Sequence, residues 1–180
     1  MRVFCVLFIL ACGLFSGKEH ASGMAADHDT SIYFVRLQGV ETLLNLRQDT
    51  THTLASVIHE GTGQLVLLDF WASWCAPCRA EMPALKQLQQ QFAGQSIDFI
   101  SISVDNRQSD WKRASLEEKL DTACNFLLLH HGTSAFLKDY RINLIPRFML
   151  LRRDGGIISE DAPLPSDIHL QKMIARYLRP

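Results

Sequence analysis

Apolar and polar positions change their period several times along the chain, and each change predicts an element. From Tyr33 the pattern is strand-like, and Val40 to Arg47 and Thr51 to Leu54 flank Gln48-Asp49-Thr50, which reads as a hairpin turn. Ala55 to Glu60 predicts a short helical turn, ended by Gly61-Thr62-Gly63. Leu65-Val66-Leu67-Leu68-Asp69-Phe70 is a continuous apolar run with one acid near its end, the pattern of a strand buried on both faces. A helix is predicted from Cys75 to Phe92, with Leu85, Leu88 and Phe92 at helical spacing and Gly94 as its stop. Ile97 to Val104 reads as strand, and Ser109 to Leu120 as helix with Trp111, Ala114 and Leu116 among charges. Phe126 to Leu129 is a short strand and Ser134 to Tyr140 a helix. Arg147 to Arg152 and Gly156 to Ser159 flank Asp154-Gly155 as a second hairpin. Ile168 to Leu178 closes the chain as a helix with Ile168, Met173, Ile174, Tyr177 and Leu178 on its apolar side. Strands alternating with helices, followed by an antiparallel pair, predict an α/β fold with a mixed central sheet and helices on both faces.

The first residues depart from this pattern. Met1-Arg2 precedes an uncharged apolar run from Val3 to Phe15, too short to span a bilayer comfortably. A basic start followed by a short apolar stretch reads as a secretory signal. Ile9-Leu10-Ala11-Cys12 is similar to a bacterial lipobox, which makes Cys12 a lipidation candidate; cleavage near Ala21-Ser22-Gly23 is the alternative. The expected organisation is a signal over residues 1–17, a tether over 18–32 and one folded domain over 33–180. Periplasm or cell envelope is the expected compartment, with membrane anchoring through the N-terminus, and disulfides persist there.

Composition narrows the class. At 180 residues, with 47% apolar and 21% charged positions, the chain is of single-domain size and ordinary globular balance. A formal net charge of −1 argues against a nucleic-acid binder held by phosphate contacts. Five cysteines are too few for a disulfide scaffold, so their spacing carries the information.

Trp74-Cys75-Ala76-Pro77-Cys78 sits where the buried strand passes into the amphipathic helix. Cysteines three apart at a helix start lie on one face, within reach of disulfide geometry. Unpaired N–H groups and the positive end of the helix dipole favour a thiolate at Cys75 by about 1–2 kcal/mol. Cys78, one turn inside, is less exposed. Cys75 is therefore the expected nucleophile toward a substrate disulfide and Cys78 the resolving thiol. Pro77 removes a donor where none is needed and stiffens the turn. A zinc site and a structural bridge are the competing readings. Zinc needs four ligands, and only Cys124 and the pair His130-His131 offer themselves.

Leu68-Asp69-Phe70-Trp71-Ala72-Ser73-Trp74-Cys75-Ala76-Pro77-Cys78-Arg79-Ala80-Glu81-Met82-Pro83 closely resembles the active-site stretch of the thioredoxin superfamily, and within it the TlpA/ResA-like exported thiol–disulfide oxidoreductases. The likeness covers residues 40–178, including the N-terminal hairpin and a helix–strand insertion after the second core strand. It implies a thioredoxin-like fold, a helix-kinking Pro83, and a buried acid at Asp69 that assists deprotonation of the resolving thiol. An acid closing an apolar strand should have a raised pKa and act as a proton acceptor near neutrality, or be a satisfied strand-end acid. The resemblance also puts Glu81 beside the thiols; an ordinary first-turn helix acid is the other explanation. It makes Ile145-Pro146 the cis-proline pair, whose backbone faces Cys75 and pairs with an extended substrate. Trp74, Ala76, Pro77, Ile145 and Pro146 are the substrate-binding candidates. Leu144 and Arg147 around that proline depart from the family's usual residues, and Arg147 suggests an acidic partner. Trp71 and Trp74 shield the thiols or pack the core, Trp111 anchors the insertion, and Cys124 reads as a small buried apolar residue.

The activity implied is reduction of disulfides in envelope proteins, with recharging by a membrane electron donor of the DsbD or CcdA type. No cofactor is implied, because the dithiol carries both electrons. A thiol peroxidase and a copper-binding module using the thiols as soft ligands, with Met82 and His130 nearby, are the rivals.

Overall fold

A computed structural model describes residues 41–47 and 49–179; the expected signal over residues 1–17, the expected tether over 18–32 and Cys12 lie outside the described residues. Two short strands, β1 (Thr42–Asn45) and β2 (Thr51–Thr53), form the first hairpin, and α1 (Leu54–His59) follows without a break. Leu54 belongs to this helix rather than to the expected strand, because the Thr53 hydroxyl caps it by accepting the Ser56 N–H at 3.0 Å. Then come β3 (Leu65–Trp71), α2 (Ala76–Gln91), β4 (Ile97–Ser103), α3 (Gln108–Glu117), β5 (Asn125–Leu128), α4 (Ala135–Asp139), β6 (Arg147–Arg152), β7 (Ile157–Ala162) and α5 (Ile168–Tyr177). A 3-10 turn over His131–Thr133, absent from the sequence reading, precedes α4, and Ser134 caps that helix instead of lying within it.

The seven strands form one mixed sheet in the order β2-β1-β5-β4-β3-β6-β7. β3, β4 and β5 are parallel, while β1, β6 and β7 run against their neighbours. β3 lies between β4 and β6, and all seven of its residues are buried, which is why it reads as an unbroken apolar run. The helix–strand insertion supplies β5, which separates the N-terminal hairpin from β4. Buried Trp111 anchors it: its indole N–H donates to Asn125 Oδ1 at 3.1 Å, and the Asn125 amide donates to Ser115 Oγ at 2.8 Å.

On α3, Trp111, Ala114 and Ser115 face inward and Leu116 is 68% exposed, since at 100° per residue Leu116 points away from Trp111. The face of α5 differs from expectation. On α5 the buried residues are Leu170 and Ile174; Ile168, on the opposite side, is half exposed, and Tyr177, in the last turn, is exposed. β7 also extends to Ala162, three residues beyond its expected end, because β6 offers partners as far as Phe148.

Candidate active site

β3 delivers the chain to the site. Register pairs run to Trp71 with Ser103 on one side and to Phe70 with Arg147 on the other. Beyond that edge, Ser73-Trp74 leads into Cys75, whose N–H donates to Ala72 O at 3.1 Å. Cys75 is the N-cap of α2, and its sulfur accepts the Cys78 N–H at 3.1 Å. That bond satisfies one orphan donor of the helix start, and the same geometry stabilises negative charge on Cys75 in the reduced form. The two cysteines form a disulfide with Cα atoms 5.3 Å apart. Both cysteines are buried, Cys75 at 4% and Cys78 at 2% exposure, so the expected difference in exposure is absent in the disulfide form, and Cys78 belongs to the inward stripe of α2 with Met82, Leu85 and Leu88. Helix α2 runs through Pro83 to Gln91 and is braced against α3 by Arg79, which pairs with Glu118 at 2.7 Å and Glu117 at 3.0 Å.

Asp69 lies two residues before the end of β3, 3% exposed, with Ser101 and Phe148 as register neighbours. Burial pushes its carboxyl up from 3.8 to about 7, and only the Ser101 hydroxyl, at 3.3 Å, opposes that. Glu81 lies one helical turn beyond Cys78 on α2, and its two carboxylate oxygens accept the Ser166 N–H at 3.0 Å and the Ser166 hydroxyl at 2.9 Å, which ties α2 to the segment before α5. Arg147 is also engaged: it pairs with Asp161 at 3.3 Å, so its charge is not offered freely to an acidic partner.

The two tryptophans separate. Trp71 is fully buried core, and Trp74 is 66% exposed immediately before Cys75. Ala76 and Pro77 are exposed as well. The Ile145–Pro146 bond is cis, and the pair lies just beyond the Phe70–Arg147 register pair, on the same sheet edge as the disulfide. Leu144, next to it, is 79% exposed. Trp74 and Leu144 thus give this edge an apolar surface on loops from two different strands. Cys124 is a partly exposed free thiol just before β5, and burial, then Asp121 and Asp98, push its pKa up.

Sequence reasoning missed Asp105. It is 4% exposed and collects three hydrogen bonds: the Ser73 hydroxyl at 2.6 Å, the Ser73 N–H at 2.9 Å and the Ser103 hydroxyl at 2.7 Å. Ser73 is two residues before Cys75, so this carboxylate fixes the loop that aims the sulfur. The available signal was an acid directly after the apolar run from Ile97 to Val104.

Comparison with known proteins agrees with this geometry. A family model described as thioredoxin-like matches residues 63–157. A thioredoxin-like protein, YneN, of Bacillus subtilis is 29% identical over 119 residues, covering 66% of this chain and 63% of that protein. The thiol–disulfide oxidoreductase ResA of Oceanobacillus iheyensis is 28% identical over 99 residues, 54% of this chain and 48% of that protein. The matched part therefore spans about half to just under two thirds of these relatives. Among solved structures, a protein assigned to the thiol–disulfide oxidoreductases from Bacteroides vulgatus is 35% identical, with a TM-score of 0.65 over 77% of this chain and 86% of that one.

Proposed function

The chain belongs to the thioredoxin-like family, and we propose that it is a thiol–disulfide oxidoreductase that reduces disulfides of envelope proteins. The observation that carries the reading is the Cys75–Cys78 disulfide at the start of α2, with Cys75 Sγ accepting the Cys78 N–H. In the reduced protein the Cys75 thiolate attacks one sulfur of the substrate disulfide. A Cys75–substrate bond forms and the other substrate sulfur leaves as a thiolate. Cys78 then loses its proton to Asp69, the buried acid on the strand that leads to the site, and attacks Cys75 Sγ. The second substrate thiolate departs, the Cys75–Cys78 bond is restored, and two electrons have passed to the substrate. A carboxyl near 7 suits this step, because it is ionised in part of the population and takes a proton at little cost. Trp74, Ala76, Pro77 and the Ile145–Pro146 backbone hold the extended substrate.

The finer assignment is that the protein works in the periplasm or cell envelope, held by lipid on Cys12 and recharged by a membrane dithiol donor of the DsbD or CcdA type. The apolar run from Val3 to Phe15 and the Ile9-Leu10-Ala11-Cys12 sequence support it. Insulin turbidity with dithiothreitol as donor tests the core reading. Wild type should accelerate precipitation, and Cys75→Ser should abolish the acceleration. A Cys75→Ser protein as active as wild type would rule the pair out.

A further inference from the structure

We propose that the cavity beside the cis-proline loop is a binding pocket for acidic side chains of the polypeptide whose disulfide is being reduced. This deepens the reading above and rests on it. The cavity, about 440 Å³, is lined by His131, Ser134, Lys138, Arg141 and Asn143 among its polar residues, and no carboxylate lines it. Lys138 and Arg141 form no ion pair with any described residue, unlike Arg79, Arg147 and Arg153, which are all paired. Ser134 is 4% exposed; its oxygen accepts the Leu137 N–H at 3.1 Å, and its hydroxyl proton goes to no acceptor among the described residues. The pocket thus presents an ammonium, a guanidinium, an amide and a buried hydroxyl as donors, with no acidic group among its described lining residues; the buried Glu41 carboxylate behind α4 accepts the Phe136 N–H at 3.0 Å.

Its position links it to the reaction. Asn143 lines the cavity and is three residues from Pro146, at most about 11 Å of chain. The segment between them carries exposed Leu144 and the Ile145 backbone at the disulfide edge. An extended polypeptide bonded to Cys75 and lying along this segment reaches the cavity within three or four residues of its own cysteine. Arg141 is fixed there by backbone: it sits at φ 51°, in the left-handed region, with its N–H on Lys138 O at 3.1 Å and the Ile142 N–H on Leu137 O at 2.8 Å. The acidic preference that the sequence attached to Arg147 moves to this pair, since Arg147 is held by Asp161.

The test uses two peptides with the same disulfide, one with three Asp and one with three Asn at positions two to four from the reacting cysteine on each side. At low ionic strength the reduced protein should reduce the Asp peptide with a kcat/KM about tenfold higher. The preference should vanish in Lys138→Glu/Arg141→Glu and, with milder change of charge, in Lys138→Gln/Arg141→Gln. The rate on the Asn peptide should stay at the wild-type value in both variants, which also reports that they fold. Equal rates on both peptides with wild type overturn the proposal, and measurable binding of inorganic phosphate alongside equal rates assigns the pocket to a free anion instead. Failure to reduce either peptide overturns the oxidoreductase reading itself, so the two failures are distinguishable.

Discussion

Replacing Asp69 with Asn removes one titration from the interior while keeping shape and the hydrogen bond to Ser101. In the folded protein the carboxyl titrates at about 7, against 3.8 without burial. The native state therefore binds the proton more tightly than the unfolded state. Below pH 3.8 both states are protonated and burial carries no ionisation penalty. Between pH 3.8 and about 7 the unfolded chain has lost the proton and the native one has not, so stability falls as pH rises. Above about pH 7 the penalty is complete, on the order of 4 kcal/mol at 1.36 kcal/mol per pKa unit. Urea unfolding of the oxidised proteins at pH 4, 6 and 8 measures this directly. Asp69→Asn should match wild type at pH 4 and exceed it by roughly 2–4 kcal/mol at pH 8. The same variant should slow release of the mixed disulfide more than its formation in stopped-flow traces. Stability curves that run parallel across the pH range, or equal losses in both kinetic steps, would refute the reasoning.

Alkylation of the reduced protein at neutral pH should label Cys75 before Cys78, because Cys75 caps the helix and its thiolate is the one the Cys78 N–H stabilises; mass mapping of the adduct decides it. Asp105→Ala strands the Ser73 N–H and two hydroxyls and should cost about 2–4 kcal/mol of stability. It should also raise the pH at which Cys75 alkylates, whereas a purely structural role would leave that profile in place. Cys12→Ser should shift the protein from the membrane to the soluble fraction, and an intact mass without lipid on the wild type would contradict the anchor.

The centre of the fold was legible because its rules are local. An apolar run such as Leu65 to Phe70 has one use in a sheet, and the stripe of Leu85, Leu88 and Phe92 follows from helix geometry alone. Cys75 and Cys78 were legible for the same reason: spacing and place on the helix fix their relation. Other features depend on partners far away in sequence. Nothing near Glu81 announces Ser166, 85 residues on, and nothing near Arg147 announces Asp161. Asp105 needed the parallel pairing of β3 and β4 to bring Ser73 onto its carboxylate. The face of α5 was misjudged where hydrophobicity was weighed above angle, at Ile168. The cationic pocket is assembled from the turn, α4 and the loop after it, none of which carries a motif.

The central claim is that Cys75 carries the substrate and Cys78 releases it. Incubating reduced Cys78→Ser protein with a disulfide-containing polypeptide and reading the intact mass tests it most directly. A stable adduct equal to protein plus one substrate chain, with the new bond mapped to Cys75 and absent from Cys75→Ser, is the predicted result. An adduct mapped to another residue, or none in Cys78→Ser while Cys75→Ser captures the substrate, would contradict it.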